Sequence, residues 1–100
     1  MNVFATGWTE FAELDCAPGV GSTAISSFTL ELEECKETCA NARIQGCTAI
    51  AYLASTDSCH LSKEVEFQEC SKGEEAKVAS GEYWNTYVMG QGEHSESNWA

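Results

Sequence analysis

One hundred residues hold one domain, and a composition of 43% apolar and 21% charged residues is that of a globular chain rather than a disordered one. Sixteen acidic against five basic residues give a formal charge of −11, which argues against a nucleic-acid binder and against docking on anionic lipid, since both need a basic footprint. Six cysteines, an even count in a short chain, favour a disulfide framework over catalytic thiols.

In chain order, Val3, Phe4, Trp8, Phe11 and Leu14 mix aromatics with polar positions and read as one or two opening strands around Trp8 to Leu14. Cys16 to Gly21 holds the only proline and two glycines, a loop. Ile25 to Phe28 reads as a short strand. From Leu30 to Ala42 the period turns helical: Leu32, Cys35, Cys39 and Ala42 recur on one face. Thr29 is the predicted N-cap, Glu31, Glu33 and Glu34 suit the positive end of the helix dipole, and Gly46 is the stop signal. Cys47 to Leu53 reads as a buried strand, Ser55 to Ser58 as a turn, and Cys59 to Leu61 as the returning strand of a hairpin. Val65 to Phe67 is a further predicted strand, and residues 71–77 a polar loop. Tyr83 to Met89 has the highest strand propensity in the chain. Residues 1–89 are read as the domain and 90–100 as a polar tail. The mostly apolar stretch from Cys47 to Ala54 is too short to span a bilayer.

A disulfide framework needs an oxidising compartment. Met1 to Glu10 shows neither a basic n-region nor an apolar h-region, so it is not a signal peptide. Either the chain was exported and begins at a processed or trimmed end, which is the reading favoured here, or Met1 is the initiator of a cytosolic chain with free thiols. There is no Asn-x-Ser/Thr acceptor to support a secretory origin.

Six cysteines allow fifteen pairings, which sequence alone does not resolve, but geometry prunes them. Cys35 and Cys39 leave the same face of the helix and point the same way, which disfavours a bond between them. Each then reaches a separate partner in the hairpin: Cys39 the nearby Cys47, and Cys35, one turn back, Cys59. Cys16 and Cys70 remain, giving a nested arrangement.

Leu32-Glu33-Glu34-Cys35-Lys36-Glu37-Thr38-Cys39, then Cys47-Thr48-Ala49-Ile50-Ala51-Tyr52, then Cys59-His60-Leu61 resembles the PAN/apple domain family, from about Cys16 to Val88. Tyr87-Val88 fits the closing strand of that family. The resemblance implies a small disulfide-rich α+β fold, one helix packed on a curled antiparallel sheet, with the same nested pairing. It also implies a non-catalytic module for protein or carbohydrate recognition. The chain departs from the family in one respect: in many apple domains the outer disulfide joins the two terminal strands, whereas Cys70 precedes the closing strand.

No catalytic residue, metal or cofactor is expected. A zinc site would want Cys-x-x-Cys knuckles or paired histidines, and a redox site Cys-x-x-Cys at a helix N-terminus. His60 reads as an outward-facing strand residue and His94 as a solvated tail residue. Glu31, Glu33, Glu34 and Glu37 form a solvated helix face rather than two carboxylates held across a pocket. There is no EF-hand-like loop. The aromatic residues carry the binding expectation. Alternation sets Trp84, Thr86 and Val88 on one face of the last strand and Tyr83, Asn85 and Tyr87 on the other; one set packs inward or both faces are covered. Tyr52, Tyr83, Trp84, Tyr87 and Trp99 are the candidate binding residues, for a protein partner or a glycan of neutral or basic character. The alternative, of a different class, is a small accessory subunit of a larger membrane-associated assembly, docked from an oxidising side such as an algal thylakoid lumen, with Trp99 as the anchor.

Overall fold

The computed structural model describes residues 7–17 and 19–89. In chain order they form β1 (Trp8–Phe11), β2 (Leu14–Asp15), β3 (Thr23–Thr29), α1 (Leu32–Asn41), β4 (Ala49–Leu53), β5 (Ser58–Lys63), β6 (Ser71–Lys72) and β7 (Asn85–Met89). Five strands make one antiparallel sheet in the order β1-β7-β4-β5-β3, and β2 pairs with β6 in a second, two-stranded sheet. This is the α+β architecture expected, one helix on an antiparallel sheet with three disulfides.

The β4–β5 hairpin lies inside the sheet, and β4 is buried at all five positions because something covers each of its faces. Residues directly opposite on neighbouring strands share a face. One face carries the rows Tyr87–Ile50–Leu61 and Tyr52–Cys59. These pack with Cys35 and Cys39 of α1 into the main core, flanked by Trp8, Ile25, Leu30, Leu32 and Met89. The other face carries small side chains along β4 and β7, in the rows Val88–Ala49–Ser62 and Thr86–Ala51–His60, with the larger His60 ending the second row on β5. Small residues there let the β2 segment pass close. The Cys16 amide donates to the Thr86 hydroxyl at 3.1 Å, and that hydroxyl donates to the Leu14 carbonyl at 2.8 Å.

The disulfides are nested: Cys39–Cys47 within Cys35–Cys59 within Cys16–Cys70. The first ties the helix end to the chain entering β4. The second ties the first turn of α1 to β5. The third joins the chain after β2 to the chain before β6, where Leu14, Phe11, Val65 and Phe67 gather around it in a second small core. A native disulfide in a small domain contributes about 2–4 kcal/mol.

Several local expectations give way to tertiary contacts. Thr29 does not cap the helix; it stays in β3 opposite Ser58, and Glu31 takes the N-cap position without a side-chain hydrogen bond. Val65 to Phe67 is not a strand. The Glu66 amide donates to the Gly21 carbonyl at 2.7 Å and residues Phe67–Glu69 close a 3-10 turn. Tyr83 and Trp84 lie ahead of β7, Tyr83 in a bridge to Lys77 and Trp84 with its amide on the Ala76 carbonyl at 2.9 Å. Residues 71–77, expected as loop, hold β6 and a 3-10 turn at Gly73–Ala76. The predicted tail, with His94 and Trp99, lies outside the described residues, as do Val3, Phe4 and Pro18.

Candidate functional site

The aromatic residues fall into three groups. Tyr52 and Tyr87 belong to the core, with 5% and 7% of their surfaces exposed, and offer no face to a ligand. The Tyr52 hydroxyl lies 2.8 Å from both the Leu30 carbonyl and the Asp57 carboxylate, and shares its one proton between them. Burial, and then the hydrogen bond to Asp57, push its pKa up to about 12. It thus pins the β4–β5 turn to the chain entering α1, a link that the Leu30 amide doubles by donating to the Asp57 carbonyl at 2.9 Å. Tyr87 lies under the Lys36 ammonium, 5.1 Å from the ring centroid, with its hydroxyl 3.4 Å from Glu10. Burial, followed by the Glu10 charge, raises its pKa.

Tyr83 and Trp84 are half-buried. Tyr83 reaches Glu74 at 3.4 Å, with the Lys77 ammonium 5.9 Å from its ring centroid. The Trp84 ring lies 5.3 Å from the His60 imidazole, whose Nδ1 is 2.9 Å from the Ser27 hydroxyl. Trp84, His60 and Ser27 thus run as an aromatic and polar stripe toward β3. His60, expected to face outward, is half-buried in that stripe. Trp99 is outside the described residues, and with it any anchoring of an accessory subunit through that side chain.

Phe11, Leu14 and Phe67 were not singled out as candidates, yet they line an open groove. Together with Ala12, Glu13 and Lys72 they enclose a volume of about 490 Å³. The two phenylalanine rings meet at 5.2 Å with a 45° tilt. The β1–β2 turn forms one wall. Its residue Glu13 holds a left-handed φ of 57°, a conformation that costs a side-chain-bearing residue about 1–2 kcal/mol. Two bonds fix it there: its amide donates to the Asn85 side chain at 2.8 Å, and its carbonyl accepts from the Gly73 amide at 3.0 Å. A signal for this groove existed in the sequence. Phe11 and Leu14 precede Cys16, Phe67 precedes Cys70, and the bond between those cysteines draws their neighbours together.

The groove has apolar walls, a carboxylate and an ammonium, and every cysteine of the chain is in a disulfide. Apolar walls of this kind suit the uptake of an apolar group. The profile of the PAN domain family matches residues 18–85, two thirds of the chain. The chain belongs to the PAN domain family. No curated protein and no solved structure matches it. PAN domains are a type of module that binds protein or carbohydrate and are generally not catalysts. Three disulfides mark this PAN domain as one of an oxidising environment, and among the described residues no helix is long and apolar enough to cross a membrane. The matched residues begin after Cys16 and end at the first residue of β7. The sheet of this PAN domain is therefore completed by β1 and most of β7 from outside the match, and the β1–β2 wall of the groove lies outside it as well.

Proposed function

We propose that this PAN domain is a non-catalytic protein-recognition module whose groove takes an apolar side chain of its partner, with a cation of that partner beside Glu13. The observation that carries the reading is the open pocket of Phe11, Leu14 and Phe67 with Glu13 at its lip. Apolar walls gain by shedding water onto an apolar group, and they offer a sugar few hydrogen bonds. A formal charge of −11 steers basic or neutral partners toward the domain and repels acidic ones.

The test uses the full oxidised chain, immobilised without reductant, to select from a displayed peptide library and to capture native proteins for mass spectrometry. Selected peptides should share one apolar residue next to Lys or Arg, and Phe67→Ser should weaken their binding about tenfold. Peptides that bind Phe67→Ser and the parent equally would remove the groove from the account. The stripe of Trp84, His60 and Ser27 favours a second reading, carbohydrate recognition, because an aromatic face beside hydroxyl and imidazole groups suits a sugar ring. Retention on a glycan array that Trp84→Ala abolishes would decide for it.

A further inference from the structure

We propose that the outer edge of β3 is a strand-addition site for an extended, basic segment of a partner protein. β3 is an edge of the five-stranded sheet and pairs only with β5 among the described residues. Its seven residues, Thr-Ala-Ile-Ser-Ser-Phe-Thr, contain no charge and no proline, and all but Ile25 are exposed. Such an edge presents a row of unpaired backbone N–H and C=O groups, and edges are ordinarily blunted by charged side chains, proline, bulges or a covering element. The one irregularity here is the register shift between Ala24 and Ser26. Beyond it Ser26, Ser27, Phe28 and Thr29 run in unbroken register with Leu61, His60, Cys59 and Ser58, on a strand anchored to α1 through Cys59. Phe28, 43% exposed, is a ready cross-strand partner for an apolar side chain.

Charge selects the occupant. The uncharged edge lies between exposed carboxylates: Glu64, which accepts from the Thr23 hydroxyl at 3.1 Å, at one end, and Glu31, two residues past β3, at the other; Lys63, opposite Thr23, carries its side chain toward Gly46. A strand with Lys or Arg near its ends meets the Glu64 carboxylate at one end and that of Glu31 at the other. A second copy of this chain would bring −11 against −11. Backbone pairing with alternate side-chain contacts is an established way of recognising a peptide, and it needs nothing that β3 lacks. The groove lies beside β1, at the opposite edge of the sheet, so the two surfaces fail or succeed independently.

The probe is a blocked peptide of alternating valine and threonine with lysine at both ends, about nine residues long. It is titrated into the full oxidised chain while amide exchange is followed by NMR. Binding should slow exchange at β3 amides and leave the protected amides of β4 unchanged. It should weaken about tenfold when the terminal lysines become glutamates, when alternate peptide nitrogens are methylated, or when the protein carries Ser26→Lys. Phe67→Ser should leave it unaltered. Three results would overturn the proposal: methylated and unmethylated peptides binding alike, β3 amides already protected in the free monomer by another part of this chain, or sedimentation showing that the edge is filled by a second copy.

Discussion

Thr86 has no exposed surface, and its hydroxyl stands between two backbone groups of the β2 segment, accepting from the Cys16 amide and donating to the Leu14 carbonyl. Thr86→Val keeps the shape and removes both bonds, leaving a donor and an acceptor buried without partners. The expected loss is about 2–3 kcal/mol. Thr86→Ser keeps the hydroxyl and should lose only about 1 kcal/mol, for one buried methyl group. Urea denaturation of the two variants separates polar satisfaction from packing. Tyr52 provides a second test. Its pKa rises from 10.0 to about 12 on folding, so the folded state disfavours the tyrosinate. The stability that this lends is complete below pH 10 and is lost as pH climbs through the folded value near 12. Tyr52→Phe should flatten the alkaline fall in stability across that window, as read by short denaturant titrations at stepped pH. Neither role was visible in the residues themselves. A threonine in a strand looks like packing, Tyr52 reads from sequence as a candidate binding residue, and the partners of Thr86 lie 70 and 72 positions away.

At the level of elements, periodicity located what local sequence controls. Leu32, Cys35, Cys39 and Ala42 mark the buried face of α1, and the apolar run before a turn cluster marks the β4–β5 hairpin. It failed where a distant strand competes. Thr29 has the chemistry of a cap, but β3 keeps pairing as far as Ser58 and holds it extended. Val65 to Phe67 has strand propensity, yet the chain there must cross beneath Gly21 on its way to Cys70. Gly21 itself shows how tight that crossing is. At φ 129° a Cβ would lie 2.8 Å from the Cys70 sulfur, closer than Cβ atoms come to a neighbour, and 3.2 Å from its amide nitrogen, a tight contact. Gly21→Ala should therefore disturb the Cys16–Cys70 crossing, costing about 2–3 kcal/mol through strain and overpacking. Non-reducing peptide maps should show this pair forming more slowly than Cys35–Cys59 during oxidative refolding. Gly19→Ala, where nothing lies within 4 Å, should pay only the backbone strain of its own positive φ and leave the pairing order unchanged.

For the molecule as a whole, charge sets fold stability and recognition against each other. Sixteen carboxylates against five cations on 100 residues leave a net repulsion in the compact state, and the two ion pairs among the described residues, Lys36–Glu33 and Lys77–Glu74, are exposed on the carboxylate side and contribute little. The disulfides hold the fold against this repulsion: among the described residues, five of the nine largest fully buried side chains are cysteines, so sulfur supplies much of the interior that a larger domain would fill with leucine and isoleucine. Raising salt from low to physiological strength shortens the screening length to about 8 Å and should lift the melting temperature of the oxidised chain by about 2–5 °C. The same screening should weaken capture of a basic partner, and do so mainly through a slower association rate. Calorimetry and surface binding along one salt series thus give opposite slopes if the acidic surface serves recognition. Parallel slopes, or an affinity indifferent to salt while the melting temperature climbs, would mean that the partner is not chosen by charge.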